Sequence, residues 1–192
     1  MTAIWIDGEL TTPEEASISA FDAGIQHGVG LFETLLARGE RVIHLLQHLD
    51  RLEESVRETR LSARMRPDGI AEAIHHTVKA ANLPSSRIRV TITGGDLNLL
   101  HGQGGEHDPT IMVVAQPATA YPDELFERGI RVSVADARAN PLDPFASHKT
   151  LDYWSRLSEL QAAASKGASE ALWFMVSNHL AGGCVSNVIL VK

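Results

Sequence analysis

Near the start of the chain, apolar and polar residues alternate in short runs broken by glycine. Ala3 to Ile6, then Asp7-Gly8, then Glu9-Leu10 predict two short strands around a tight turn. A loop from Thr11 to Ser17 leads to Phe21-Asp22-Ala23-Gly24 and His27-Gly28-Val29-Gly30, whose glycines predict a sharp turn into a strand from Leu31 to Ala37. Arg38-Gly39-Glu40 marks another turn, and Val42-Ile43 resumes the extended pattern. The spacing then lengthens. Leu45, Leu49, Leu52 and Val56 recur with charges between them, which predicts an amphipathic helix from Leu45 to Leu61. A second helix is expected from Pro67 to Ala81, with Asp68 near its start and Asn82 and Pro84 beyond its end.

The second half repeats the mixture. Arg87 to Thr93 and Thr110 to Gln116 alternate as strands, and Gly94 to Asp108 between them reads as a long loop rich in Gly, His and Asp. Pro117 to Pro122 interrupts the pattern. The expected division is a small lobe over 1–117, a linker over 118–122 and a larger lobe over 123–192. In that lobe the pattern predicts a helix from Asp123 to Arg128, a strand from Arg131 to Ala135 and a proline-containing loop from Asn140 to Ser147. A helix from Lys149 to Lys166 and strands over Glu170–Val176 and Ser186–Val191 close the chain. Strands and helices in two mixed groups indicate an α/β or α+β fold.

Composition narrows the function classes. At 192 residues and 44% hydrophobic, the chain can bury a real core. A net charge of −7 offers no basic face for nucleic acid or an anionic membrane, although a small anionic ligand needs only a few local cations. Cys184 is the only cysteine, so no disulfide forms within the chain and a reducing compartment is expected. The first ten residues lack the basic and apolar regions of a signal peptide, and no apolar run approaches the roughly 20 residues of a membrane helix. A soluble, cytoplasmic protein is the expectation.

Lysine is scarce, with Lys79, Lys149, Lys166 and Lys192 the only four. Lys149 stands apart, at the expected junction of loop and helix in Ser147-His148-Lys149-Thr150-Leu151-Asp152-Tyr153. It reads as an amine desolvated enough to attack a carbonyl, or as a surface lysine at a helix start. Arg51, after His48-Leu49-Asp50, offers a planar fork for phosphate oxygens or a partner for Glu54 on the same helix. His27 with Gly28 and Gly30 fits a close approach of backbone to ligand, or simply a tight turn. Ser186 and Asn187 could bond a ligand or merely start a strand. No metal site is expected. His75 and His76 point roughly 100° apart on a helix, His44 and His48 lack a carboxylate to complete a triad, and His101 and His107 fall in the long loop. The glycine clusters fit no nucleotide-binding fingerprint.

Taken in order, several segments resemble the class IV (fold-type IV) pyridoxal-phosphate aminotransferase family, which includes branched-chain and D-amino-acid aminotransferases and aminodeoxychorismate lyase. They are Ile4-Trp5-Ile6-Asp7-Gly8, His27-Gly28-Val29-Gly30-Leu31-Phe32-Glu33-Thr34, His48-Leu49-Asp50-Arg51-Leu52, Arg87-Ile88-Arg89-Val90-Thr91, His148 to Tyr153, and Ser186-Asn187. The resemblance implies a two-lobed α/β fold, a homodimer and pyridoxal phosphate between the lobes. It puts Lys149 in place of the catalytic Schiff-base lysine and Arg51 in place of the arginine that holds the cofactor phosphate. Ser186 and Asn187 take the place of the segment lining the cofactor. The substrates implied are an amino donor and a keto acceptor, or an amino-chorismate; Phe32-Glu33-Thr34 is closer to the lyase and D-amino-acid branches. The alternative is a dimeric relative that kept the fold without a full cofactor site.

Two departures accompany the likeness. Family members carry Ala-Glu-Gly where this chain has Ala181-Gly182-Gly183, and that glutamate pairs with the pyridine nitrogen of the cofactor. A glutamate restored at 182 is expected to strengthen the electron sink. Family chains also continue beyond the position of Val191-Lys192, so the C-terminal part of the fold is expected to be missing.

Overall fold

A computed structural model describes residues 1–62, 65–96 and 108–192. The chain divides into two compact units: Met1–Thr119 with His148–Leu151, and Ala120–Ser147 with Asp152–Lys192. Residues 148–151, expected in the second lobe, therefore cluster with the first.

The first unit opens on β1 (Ala3–Ile6) and β2 (Glu9–Thr11), a hairpin whose turn residues Asp7 and Gly8 both have positive φ. A short helix follows, α1 (Ala23–His27), where only a turn is expected from the sequence. Asp22 makes it possible by accepting a hydrogen bond from the Gly24 amide at 2.7 Å, and Gly28 ends it in the left-handed conformation. Then come β3 (Gly30–Arg38), β4 (Arg41–Val42), α2 (Leu45–Thr59), α3 (Pro67–Ala81), β5 (Ser85–Thr93) and β6 (Ile111–Pro117). Most of the expected long loop, residues 97–107 with His101 and His107, lies outside the described residues.

The six strands form one antiparallel sheet in the order β2-β1-β6-β5-β3-β4. Both helices bury their apolar stripes in the same core as one face of the sheet. Leu49, Leu52 and Val56 of α2, and Ile70, Ile74 and Val78 of α3, recur at the three- and four-residue spacing that keeps them on one side. They share that core with Leu31, Leu35 and Ala37 of β3 and with Ile88, Val90 and Ile92 of β5, alternate residues of each strand.

The second unit holds α4 (Asp123–Arg128), β7 (Val132–Ala139), α5 (Trp154–Ser165), β8 (Glu170–Met175) and β9 (Leu180–Gly183). β7 and β8 run parallel with α5 as the helix between them, and β9 pairs antiparallel with β8. Glu159 of α5 accepts from the Asp136 and Ala137 amides, both at 3.1 Å, where the β7–β8 register shifts. The core here is small: Ala135, Ala163, Ala168, Ala171, Trp173 and Cys184.

Two expectations are corrected. The helix predicted from Lys149 begins only at Trp154, because residues 149–151 are extended and paired with β3. Phe32 donates its amide to the Lys149 carbonyl at 2.8 Å, and Leu151 donates to Gly30 at 3.0 Å. The strand predicted over Ser186–Val191 is also absent. The third strand of this sheet is Leu180–Gly183, and residues 187–192 are exposed and irregular. Apolar alternation makes a strand only where a neighbour completes its ladder.

Gly30 sits where β3, β5 and Leu151 pack closely. A Cβ there would come within 2.6 Å of both the Ile92 carbonyl oxygen and Leu151 Cδ1. Gly30→Ala is expected to lower the urea unfolding midpoint by the equivalent of about 1–3 kcal/mol through overpacking. An unchanged midpoint would show that β3 and β5 can separate there at no cost.

Candidate active site

β3 alternates inward and outward, and its inward positions are Leu31, Glu33, Leu35 and Ala37. A carboxylate thus occupies a core-facing position and is only 2% exposed. An ionised acid cannot stay there without donors. α2 supplies them: Arg51 donates Nε–H to Glu33 Oε1 and Nη2–H to Oε2, each at 2.6 Å. His48, one turn earlier, places Nδ1 at 2.8 Å from Oε2, and because the carboxylate only accepts, Nδ1 is the donor.

Burial pushes the Glu33 carboxyl up, but the hydrogen bonds from Arg51 and His48 outweigh it and hold the group below the ordinary carboxylate range. Glu33 in turn raises the Arg51 guanidinium further. Arg51 is therefore not paired with Glu54 as helix spacing allows; Glu54 has Arg57 at 3.8 Å instead. Half of the Arg51 side chain stays exposed, and among the described residues Nη1 meets no acceptor.

Phe32, next to Glu33, points to the opposite face of the sheet. Its ring carries the Lys149 ammonium 4.5 Å from its centroid and the Arg89 guanidinium at 3.8 Å. Lys149 and Arg51 thus belong to one unit and are tied to consecutive residues of one strand. Lys149 is partly buried, on an extended segment rather than a helix start. Of the other early candidates, the two glycines have structural work. Gly28 caps α1, Gly30 admits Leu151, and His27 is exposed.

Ser186 and Asn187 lie in the second unit, just after β9. Ser186 donates its hydroxyl to Glu170 Oε2 at 2.7 Å, so that oxygen can accept from a ligand but its proton is committed. Glu170 is buried and also accepts from the amides of Ala171, Cys184 and Val185. Burial raises this carboxyl, and the four donors bring it below its usual range. Gly182 has φ +144°, a conformation side chains rarely adopt, although only the Ser186 carbonyl oxygen, at 3.8 Å, lies near a would-be Cβ. Restoring a glutamate there is therefore a matter of backbone strain, about 1–3 kcal/mol, rather than of space.

Glu33 and His48 fall within the family-like segments but their pairing with Arg51 is not readable there, and Glu170 falls in no motif. Glu33 and Glu170 nevertheless leave a trace in the sequence: Glu33 is an acid among the apolar core-facing residues of β3, and Glu170 is the one charged residue of an otherwise apolar strand, so each requires a donor set from elsewhere.

A family model described as amino-transferase class IV matches residues 30–192. A Methanocaldococcus jannaschii protein, provisionally named a branched-chain-amino-acid aminotransferase, is 30% identical over 98% of this chain and 65% of its own length. The bifunctional aminodeoxychorismate lyase / D-amino acid transaminase of Mycobacterium tuberculosis is 28% identical over 97% of this chain and 65% of the relative. The crystal structure of 4-amino-4-deoxychorismate lyase from Pseudomonas aeruginosa matches with a TM-score of 0.85 at 26% identity, over 98% of this chain and 67% of that one. This chain therefore spans 65% of the length of each of these two curated relatives. With the family model matched from β3 to the last residue, the chain belongs to the class IV aminotransferase family.

Proposed function

We propose that this protein is a pyridoxal-phosphate-dependent aminotransferase or aminodeoxychorismate-lyase-like enzyme, with Lys149 as its catalytic lysine. The observation that carries the reading is the joint fixing of an amine and a guanidinium by neighbouring residues of β3. Phe32 holds the backbone and ammonium of Lys149, and Glu33 holds Arg51. The donor set fits an aldehyde-bearing phosphate: an amine for the carbonyl and an arginine whose Nη1 edge is open to phosphate oxygens. When bound, such a cofactor supplies an electron sink for bonds broken at the substrate α-carbon. Lys149 would then hold and return a proton at Nζ and Arg51 would bind the phosphate, with Ser186 and Asn187 the further candidates for contact with the cofactor. A homodimer in the cytoplasm completes the proposal; no described helix is long and apolar enough to cross a membrane.

A second reading, a relative that kept the fold without full activity, is favoured by one observation. Gly182 supplies no carboxylate, in a backbone conformation suited to glycine.

The test is chemical. Protein mixed with pyridoxal phosphate and reduced with borohydride is expected to carry one label, on Lys149, and Lys149→Ala none. A label spread over Lys79 and Lys166 instead would sink the assignment.

Arg51 needs a more careful test, because its loss also strands Glu33. Arg51→Ala is expected to weaken cofactor retention about ten- to a hundredfold relative to Arg57→Ala. The double variant Glu33→Gln with Arg51→Ala should regain much of the stability but none of the retention. If the double variant recovers both, Arg51 serves only the fold.

Glu33 also sets an acid limb. Its folded pKa lies below the ordinary 4.5, so its stabilisation is complete above that value and is lost as pH falls through the folded one. Urea midpoints between about pH 3 and 7 should fall toward acid less steeply in Glu33→Gln than in the parent. Equal slopes would mean that the carboxylate is not the titrating group.

A further inference from the structure

The chain re-enters the first unit through only four residues, 148–151, with its neighbours on both sides in the second. Residues 140–147 before this segment are exposed. Its backbone pairing with β3 includes the Phe32–Lys149 and Leu151–Gly30 hydrogen bonds and the bridge of Leu31 with Thr150. So short a pairing is marginal by itself in water.

His148 adds a side-chain anchor on α2. Its side chain is 8% exposed, with Nδ1 at 3.1 Å from Ser55 Oγ and Nε2 at 3.5 Å from Glu58 Oε2. Ser55 is itself buried. Alternation along an extended segment sends His148 toward α2 and Lys149 the other way, over the Phe32 ring. His48, Arg51, Ser55 and Glu58 follow one another at spacings of three, four and three, so they form one stripe of α2. The upper part of that stripe grips Glu33, and the lower part grips His148.

We propose that His148 is a positioning residue: held by Ser55 and Glu58, it locks the Lys149 backbone to β3 so that the amine stands over Phe32, in register with Arg51 on the same helix. The inference rests on Lys149 being the cofactor lysine. Nothing assigns His148 to the chemistry itself, since it faces α2 and not the reacting amine.

The experiment has one arm without cofactor and one with it, both on the full chain. In the first, amide hydrogen exchange at Phe32 and Leu151 should accelerate about tenfold in His148→Ala, while exchange at Ile88 and Val90 stays as in the parent. His148→Asn, which can still reach Ser55, should restore most of the protection. In the second arm, borohydride labelling of Lys149 by pyridoxal phosphate should slow about tenfold in His148→Ala. Binding of pyridoxamine phosphate, which has no aldehyde for the lysine, should be unchanged. Should His148→Ala fail to fold, Ser55→Ala removes the same contact while keeping the imidazole and should shift both arms in the same direction.

Parent-like exchange and labelling in His148→Ala would overturn the proposal. Equal losses of labelling and of pyridoxamine phosphate binding would also overturn it, by showing a general loosening of the unit. If the parent protein itself never labels on Lys149, the assignment of the lysine fails and the positioning role falls with it. Changed exchange in that case would mark His148 as a structural clamp only.

Discussion

A carboxylate on the buried face of a strand is the constraint around which the first unit is arranged. Glu33 replaces an apolar side chain between Leu31 and Leu35, and its charge is tolerable only because α2 brings Arg51 and His48 to both of its oxygens. That requirement fixes α2 over β3 more narrowly than apolar contact alone, because hydrogen bonds demand alignment and apolar burial does not. It also presents the Arg51 fork in one orientation, with two of its nitrogens committed.

The second unit repeats the device on a smaller core. Glu170 at the start of β8 gathers three backbone amides and the Ser186 hydroxyl, so the turn after β9 is shaped around a buried negative charge. With only small side chains, Trp173 and Cys184 in that core, polar bonds fix what apolar packing does not. Arg51 and Ser186 are thus each held by an acid that does not itself belong to the proposed chemistry. Such pre-organisation keeps binding groups in place before a ligand arrives.

The long-period elements and the clean alternations were legible without coordinates. Pro67–Ala81 agrees closely with its predicted helix, since Pro67, Asp68 and Asn82 mark its ends chemically. Ala3–Ile6 and β3 follow from alternation and turn residues. The α1 helix was not legible, because a five-residue helix has no periodicity to read and depends on the Asp22 cap. The start of α5 was misplaced, because Thr150 and Leu151 continue an apolar pattern that suits a helix or a strand, and only β3 as a neighbour decides between them.

By itself the sequence determined the order of most elements from β1 to β8, the faces of the long helices and strands that enter the first core and, through motifs in order, the family. These depend on local periodicity, on end signals and on residue identity, all of which are written along the chain. The tertiary structure alone decided that Arg51 answers Glu33 rather than Glu54, that Lys149 lies on a strand edge over Phe32, and that His148 reaches Ser55. The partners in each of those contacts are 18, 117 and 93 residues apart, as 51 − 33, 149 − 32 and 148 − 55 give. No local pattern can specify a partner at that distance; the fold chooses it by leaving buried charge and unpaired backbone only one way to be satisfied.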